Sequence, residues 1–342
     1  MEQRPEISFL AWVREDSRSR SLAQACGGEH RTFFDLAIHS RPLVPLRYAL
    51  SSVRTLAYLV RRRPRSVVVQ CPPAPAAALV LGWARVARAP VVLDTHPASF
   101  EQGGIHGLMR PLVARLARRA AGCIVTTPRL GEQVRRWGGR PVVVHEAPMP
   151  WSDGIEPAER RPDATDHRPD ATDRRPEALF VCTFAPDEPV VELLDAAGRL
   201  PDVRFSVTGD RRRLTPELRR AAPANVRFAG YLAQPEYLRA LTGADVVVSL
   251  TCRTDSVQRS AYEAVDALAP LVLSDWPHMH ALFEHAVFVR NGGESIAAGV
   301  ADALARLGPL RRAAPGMRRA QHARFKQQLA QLRAVLAPPA RA

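Results

Sequence analysis

Short apolar runs rich in β-branched residues alternate with helix-like stretches along both halves of this 342-residue chain. The first half contains ISFLAW, SVVVQ, PVVLD and GCIVTT, and the second half contains ALFVCTF, VRFSVTG, DVVVSL, PLVLSD and AVFV. Near-continuous apolar strands joined by helices are typical of parallel sheets that are covered on both faces. The pattern therefore predicts an α/β protein with two doubly wound domains, each built on a parallel sheet.

A polar repeat separates the two halves, because RRPDATD at 160–166 is followed directly by HRPDATD at 167–173. Proline and charge dominate this segment, so it cannot bury enough apolar surface to fold alone. The predicted segments are a first domain over 1–150, a linker over 151–177, a second domain over 178–316 and a C-terminal helix over 317–342. That helix either returns to the first domain or packs on its own domain.

Positive charge is concentrated in the first half of the chain. Residues 1–150 contain 22 Arg and 10 acidic residues, and the stretch 51–93 contains seven Arg and no acid. Such a surface attracts phosphates, acidic lipid headgroups or nucleic acid. The chain has no helix-turn-helix signature or zinc finger, and only 6% of its residues are aromatic, so a nucleic-acid binder is disfavoured. We expect an anionic ligand that is not a nucleic acid.

Cysteine usage and hydropathy indicate the cellular compartment. The five cysteines (Cys26, Cys71, Cys123, Cys182 and Cys252) are scattered and form no C-x-x-C pair, which is typical of reduced thiols and argues against a disulfide framework or a zinc site. The N-terminus carries acids where a signal peptide needs bases, and no stretch approaches the roughly 20 apolar residues of a membrane span. We expect a cytoplasmic protein, or one bound peripherally at the inner face of the plasma membrane.

The segment DSVQRSAYEAV, from Asp255 to Val265, lies between two apolar runs and predicts a helix that carries the carboxylate of Glu263 two turns in. Thr254 or Asp255 would cap this helix, and its first amides would then point at an anion. Glu263 can accept two hydrogen bonds from vicinal hydroxyls such as those of a ribose. The alternative is that this carboxylate faces solvent.

Polar residues follow two further strands. Gly209 and the arginines at 211–213 come after VRFSVTG, and they predict either a tight turn with a phosphate contact or a solvated surface. Asp94 ends the run PVVLD, and Thr95 and then His96 follow it. Ligands of doubly wound sheets bind at the carboxyl ends of the strands, so His96 is a candidate active group, although a lone histidine is usually structural.

This layout resembles the GT-B glycosyltransferases, in particular the family 4 group, whose second domain carries an acid, seven residues and then a Glu. Asp255 and Glu263 match that pattern. The resemblance implies two Rossmann-like domains that face a central cleft, and transfer of a sugar from a nucleotide-diphosphate sugar to an acceptor hydroxyl. It implies that Glu263 binds the donor ribose and that Asp255 lies near the donor sugar or pyrophosphate. It also implies that His96, with Asp94 beside it, faces the donor sugar.

A second set of motifs is similar to the branch of β-mannosyltransferases that extend dolichol-linked chitobiose from GDP-mannose. The similar segments are QCPPAP at 70–75, the DTH that contains His96, and SRSRS at 17–21. In the family 4 group an Arg and a Lys usually grip the donor pyrophosphate, but here Thr183 and Glu188 take their places. The family 4 likeness implies retention of configuration at the sugar, and the mannosyltransferase likeness implies inversion.

The resemblance also suggests the remaining contacts. The donor-binding candidates are Glu263, Ser256, Thr254, Arg253, Gly209 and Thr183, with Arg211 as a further pyrophosphate contact. Arg18 and Ser19 would form a first loop that contacts the acceptor or a phosphate. No Asp-x-Asp pair follows a strand, so we expect no cofactor and no obligatory metal ion. The alternatives are a sugar-nucleotide epimerase and a catalytically degenerate nucleotide-binding protein of the same fold.

Two predicted helices combine apolar stripes with arginines. In the stretch 46–64 the stripe contains Leu46, Ala49, Leu50, Val53, Leu56, Ala57 and Val60, and Arg47, Arg54 and Arg61 lie along its flank. The stretch 107–122 repeats the design, with Leu108, Leu112 and Leu116 inside and Arg115, Arg118 and Arg119 outside. These patterns predict helices that pack on a sheet. The alternative is a basic face on an anionic membrane surface, which suits a glycan or lipid-linked acceptor.

Overall fold

The computed structural model describes residues 5–14, 16–34, 43–154 and 175–337. The repeat at 160–173 lies outside the described residues. Two compact units divide the described chain: one runs to Ala147 and resumes at Arg324, and the other comprises Pro148–Ala323.

A six-stranded parallel sheet forms the centre of the first unit. Its strands are β1 (Ile7–Ala11), β2 (Glu29–Thr32), β3 (Ser66–Cys71), β4 (Val91–Thr95), β5 (Gly122–Val125) and β6 (Pro141–Val143). Its helices are α1 (Ser17–Cys26), α2 (Val44–Arg62), α3 (Ala74–Ala87), α4 (Gly104–Arg119) and α5 (Pro128–Arg136). The strand order is β2-β1-β3-β4-β5-β6, and every neighbouring pair is parallel.

The second unit contains another six-stranded parallel sheet. Its strands are β7 (Glu177–Phe180), β8 (Arg204–Thr208), β9 (Val226–Gly230), β10 (Val246–Ser249), β11 (Leu271–Ser274) and β12 (Val287–Val289). Its helices are α6 (Val190–Arg199), α7 (Pro216–Ala221), α8 (Gln234–Gly243), α9 (Arg259–Asp266), α10 (Pro277–His280) and α11 (Gly293–Ala305), followed by α12 (Leu307–Leu336). The order is β12-β11-β10-β7-β8-β9, and all pairs are parallel. Two doubly wound α/β sheets were predicted, and both are confirmed.

The central strands are buried on both faces, which explains their continuous runs of valine. In β3, Val67 and Val69 pack towards helices α2 to α5, whereas Val68 packs towards α1. The last part of α12 covers the same face as α1, through side chains that include Phe325 and Leu332. This helix therefore begins in the second unit and ends against the sheet of the first.

Helix α2 packs against the core with its polar face, opposite to the apolar face that was predicted to be buried. Its buried residues are Ser51, Thr55 and Leu59, whereas the stripe expected to pack on the sheet is on the outside. The indole N–H of Trp12 donates to the Thr55 hydroxyl at 2.8 Å, and the Ser51 hydroxyl donates to the carbonyl of Phe33 at 2.9 Å. These hydrogen bonds favour a polar inner face, and the prediction that the apolar stripe faces inwards is wrong.

Helix α4 follows its prediction in part. Leu116 is buried and Leu112 packs against the same core, but Leu108 is exposed. In the described parts of the chain, no helix has the length and apolar character needed to cross a bilayer.

Candidate active site

The connection from β10 to α9 places Glu263. Helix α9 begins at Arg259, four residues later than expected, and its N-cap is Gln258, whose side chain makes no capping hydrogen bond. The prediction that Thr254 or Asp255 caps this helix is therefore wrong. Glu263 lies about one turn into the helix instead of two.

Two donors hold the carboxylate of Glu263. The Tyr237 hydroxyl donates to Oε2 at 2.5 Å, and Arg259 Nε donates to Oε1 at 2.9 Å. Burial and the nearby charge of Glu263 raise the pKa of Tyr237, so its hydroxyl stays protonated and remains a donor. The side chain of Glu263 is 14% exposed. An ionised carboxylate has about four lone-pair positions, so this oriented group retains capacity for two more donors.

The loop 250–258 is anchored through Thr251. Its hydroxyl donates to Asp187 Oδ2 at 3.0 Å, and its backbone N–H donates to the Ser274 hydroxyl at 2.9 Å. Its carbonyl accepts from the indole of Trp276 and from the side-chain amide of Asn291, each at 2.9 Å. The carboxyl edges of β10 and β11 are thereby joined, and the loop is held in one place.

Arg253 and Asp255 pair with each other on this loop. Arg253 Nε and Nη2 donate to the two oxygens of Asp255 at 3.1 and 3.3 Å. The carbonyl of Ser256 lies 3.0 Å from Nε2 of His278. Because the helix starts at Arg259, the amide of Ser256 belongs to a non-helical loop and not to a helix N-terminus. A phosphate that binds Arg253 would compete with Asp255.

The turn after β7 is organised by Glu188. Its carboxylate accepts hydrogen bonds from the backbone N–H groups of Thr183 and Ala185 at 2.9 and 2.8 Å, and from the Thr183 hydroxyl at 3.2 Å. Phe184, between those amides, has φ 56°, a left-handed conformation that bulky residues rarely adopt. Glu188 thus stabilises the turn and occupies amides that an anionic ligand could otherwise use.

Replacing Glu188 by alanine is expected to lower the free energy of unfolding by about 1–3 kcal/mol, because two backbone donors lose a charged acceptor. Chemical denaturation measures this change. Glu217→Ala is the matched control: its exposed pair with Arg220 is worth at most about 1 kcal/mol. Equal stabilities of the two variants would contradict the role of Glu188.

Gly209 is required by the packing of two turns. It has φ 125°, and a Cβ at this position would lie 2.7 Å from the ring of Phe184 and 2.8 Å from the carbonyl oxygen of Cys182. Nearby, Arg211 donates to the carbonyl of Phe228 at 2.8 Å. Arg212 is paired with Asp210. The expected tight turn is present, and a phosphate contact by Gly209 or Arg211 stays a prediction.

The first unit gathers charged groups at the carboxyl end of β4. Helix α1 starts at Ser17, so Arg18 and Ser19 lie in its first turn and not in a loop as predicted. Arg18 Nε lies 3.8 Å from Asp94 Oδ1, and its Nη1 donates to Glu146 at 2.5 Å. The Ser19 hydroxyl lies 3.3 Å from Asp94 Oδ2. A phosphate that binds Arg18 would compete with two carboxylates.

Asp94 and His96 form a coupled pair at this edge of the sheet. His96 Nε2 lies 3.5 Å from Asp94 Oδ2, and the side chain of His96 is 28% exposed whereas that of Asp94 is buried. Burial alone would raise the pKa of Asp94, but His96 and Arg18 outweigh it and lower that pKa. Burial alone would lower the pKa of His96, but the Asp94 carboxylate raises it above the ordinary value. The pair therefore favours an aspartate beside a protonated imidazole.

The partners that orient these side chains were not found from the sequence. Arg259 precedes Glu263 by four residues, a spacing that indicates contact on a helix, so this partner could have been predicted. Tyr237 and Glu146 reach their partners across 26 and 128 residues of chain, and no local pattern indicates them.

Two cavities lie near the sheets. One, of about 160 Å³, is in the first unit and is lined by residues that include Tyr48, Ile105 and Met109. The other, of about 760 Å³, is a groove in the second unit beside Asp195 and Arg290. Neither lining includes a residue predicted to bind donor or acceptor. Among the described residues, no group of three or more His, Cys, Asp or Glu is placed to hold a metal ion.

Two family models match the chain, one over each sheet. The glycosyl transferase 4-like domain matches residues 9–149, and the domain described as glycosyl transferases group 1 matches residues 175–307. No curated protein matches the sequence of this chain.

Solved structures share the whole fold at low sequence identity. Alr3699/HepE from Anabaena, in complex with UDP-glucose, is 14% identical with a TM-score of 0.72, over 96% of this chain and 99% of that one. The UDP-forming α,α-trehalose-phosphate synthase from Burkholderia vietnamiensis is 14% identical with a TM-score of 0.69, over 97% and 99%. Sucrose-phosphate synthase from Thermosynechococcus elongatus is 16% identical with a TM-score of 0.67, over 96% and 99%. At such identities the likeness shows the fold alone.

Proposed function

We propose that this chain, which pairs a glycosyl transferase 4-like domain with a glycosyl transferases group 1 domain in the GT-B fold, transfers a sugar from a nucleotide-diphosphate sugar to an acceptor hydroxyl. The observation that carries the proposal is this order of two glycosyltransferase domains, each matched over one parallel sheet. Relatives of the same fold that are described with UDP-glucose or as UDP-forming support a UDP-sugar as the first donor to test. GDP-mannose is the second, from the local mannosyltransferase resemblance.

In this proposal Glu263 receives the donor ribose. Tyr237 and Arg259 hold the carboxylate, each through one oxygen. Its remaining lone pairs would accept from the two ribose hydroxyls, and the side chain would not need to be ordered on binding. A preoriented acceptor of this kind lowers the entropy cost of binding. The carboxylate is the recognition element for the nucleoside, and it takes no part in bond breaking.

The pyrophosphate requires positive charge that Thr183 and Glu188 do not supply. Arg253, on the loop after β10, is the proposed candidate, and it would exchange its contact with Asp255 for a phosphate oxygen. Charge-assisted hydrogen bonds to phosphate are strong, and they stabilise the nucleoside diphosphate as it leaves. Thr254, Ser256 and the turn at Gly209 would complete the proposed pyrophosphate site, which requires no metal ion.

His96 is the proposed group at the reacting sugar. Asp94 favours the protonated form of the imidazole, whose buried Nε2 faces the aspartate, so Nδ1–H is the proposed donor to a sugar oxygen. Such a donor holds the sugar in place while its bond to the nucleotide breaks and the bond to the acceptor oxygen forms. The nucleoside diphosphate leaves with the negative charge, and the acceptor hydroxyl gives its proton to the departing diphosphate or to water. Arg18 supports Asp94 from α1, which makes it a positioning residue for His96. The Ser19 hydroxyl donates to Asp16 at 2.5 Å, and Arg18 and Ser19 both stay candidate acceptor contacts.

A lipid-linked or cell-envelope glycan is the proposed acceptor. The cavity of about 160 Å³ in the first unit supports this choice, because its lining includes Pro72, Ile105, Met109 and Val113. Such walls suit an apolar chain better than a free sugar.

A thermal-shift screen with UDP, GDP, TDP and their common sugars tests the donor. A ligand at 100 times its dissociation constant stabilises the folded protein by roughly 2.7 kcal/mol, so we expect a clear shift with one nucleotide. An epimerase would also show this shift but would interconvert the sugar nucleotide without acceptor. A degenerate member would bind nucleotide and do neither. A folded sample that responds to no nucleotide would contradict the proposal.

A further inference from the structure

The described parts of the chain contain ten exposed large apolar side chains. Five of them belong to α2 and its N-cap, and two more belong to the start of α4. The four on α2 are named here the α2 stripe: Leu46, Val53, Leu56 and Val60. They are between 42% and 67% exposed. At 100° per residue they fall within about 80° of the helix circumference, so they form one continuous apolar line.

The outward direction of the α2 stripe is held by hydrogen bonds on the opposite face of the helix. In addition to Ser51 and Thr55, the hydroxyl of Tyr58 contacts Ser8 at 2.8 Å and donates to Glu29 at 3.1 Å. A helix rotated to bury the stripe would lose these bonds and expose the core contacts of Leu59. The apolar surface is therefore a stable feature of this unit.

Arginines lie along one side of the stripe. Arg47, Arg54 and Arg61 repeat every seven residues on this flank, and the stretch 51–93 contains no acid. Helix α4 adds the exposed apolar side chains of Ile105 and Leu108. An apolar line flanked by arginine is the pattern of helices that lie in the headgroup region of a bilayer.

We propose that the α2 stripe and its arginine flank form a surface that binds anionic lipid bilayers. The apolar side chains enter the boundary between headgroups and acyl chains, and the guanidinium groups contact the lipid phosphates. A second copy of the chain fits this surface poorly, because a two-fold contact would place the same arginine flank on both partners, with no acid in 51–93 to offset it. A bilayer provides apolar volume and negative charge together.

Flotation with vesicles tests this surface. We compare phosphatidylcholine alone with phosphatidylcholine containing about 30 mol % phosphatidylglycerol, at low and high salt. The wild-type protein should bind the anionic vesicles and dissociate at high salt. The triple variant Val53→Ser, Leu56→Ser, Val60→Ser should partition into anionic vesicles about tenfold less than the wild type. The double variant Arg54→Ala, Arg61→Ala should lose about fivefold in partitioning for each arginine removed. Val191→Ser, an exposed apolar position on α6 of the second unit, should bind as the wild type.

Three results would overturn the proposal. The first is equal flotation of the triple variant and the wild type. The second is thermal unfolding of the triple variant well below that of Val191→Ser, which would mean that the protein itself covers the stripe. The third is a wild-type dimer that becomes a monomer in the triple variant with no vesicle binding by either.

The surface and the proposed transferase activity are tested separately. A wild type that shifts with nucleotide but does not float refutes the surface alone. One that floats but binds no nucleotide refutes the activity alone.

Discussion

Replacing Glu263 by alanine is expected to weaken binding of the nucleotide donor by about 10- to 100-fold. The estimate follows from the roughly 1.5–3 kcal/mol that a hydrogen bond to a charged group contributes. The ribose loses its acceptor, and the base and phosphate contacts remain. Calorimetric titration with the nucleotide identified in the screen measures the change, at a temperature where the variant is folded.

Two variants separate recognition from structural support. Tyr237→Phe removes one donor to Glu263 but leaves the carboxylate and Arg259 in place, so the donor affinity should fall less than about fivefold. Glu263→Gln keeps the shape of the side chain but removes its charge, so its donor affinity should lie between those of Glu263→Ala and Tyr237→Phe. A folded Glu263→Ala protein with wild-type affinity would show that Glu263 serves only to satisfy Tyr237 and Arg259.

Replacing His96 by alanine is expected to lower kcat by about 100-fold or more, as for loss of one oriented hydrogen-bond donor at the reacting group, with little change in affinity for the free nucleoside diphosphate. The reason is that His96 acts at the sugar and Glu263 at the nucleoside. Steady-state kinetics with matched nucleotide titrations measure the two effects. A variant that loses nucleotide affinity but keeps kcat would contradict this division.

The pH profile distinguishes a protonated His96 from a merely structural one. Because Asp94 raises the pKa of His96, activity should decline as the pH rises through that raised pKa, and Asp94→Asn should move the decline to lower pH. The free energy of unfolding should change with pH in the same direction. The contribution of His96 to it is present in full below the ordinary pKa of about 6.5 and is lost as the pH rises through the pKa of His96 in the folded protein. The contribution of Asp94, whose pKa is lowered, is present above its ordinary pKa and is lost in acid. An unmoved decline in Asp94→Asn would contradict the coupling.

The two sheets could be predicted from the sequence because their strands are buried on both faces and so consist of uninterrupted β-branched residues. The orientation of α2 could not be predicted, although its stripe was visible. Amphipathic periodicity shows that one face differs from the other, but here the hydrogen bonds of Ser51 and Thr55 decide which face is inside.

The candidate site was predicted only in outline. Glu263 and His96 follow strands, and their positions at the carboxyl edges of the sheets follow from that order. The start of α9 was misplaced because Asp255 resembles an N-cap, whereas in the structure its carboxylate pairs with Arg253 and the chain stays non-helical to Gln258. Glu188 stands where the family 4 group usually has a lysine, but its contacts with Thr183 and Ala185 depend on a turn that no periodicity indicates.

Acceptor-dependent release of nucleoside diphosphate tests the central claim most directly. The donor identified in the thermal-shift screen is incubated with wild-type protein, with and without lipid-linked saccharide, and the free nucleoside diphosphate is quantified. The account predicts slow release alone and a large increase with acceptor, which His96→Ala removes. Binding of donor with no increase for any hydroxyl acceptor, or interconversion of the sugar nucleotide by itself, would contradict a glycosyl transfer.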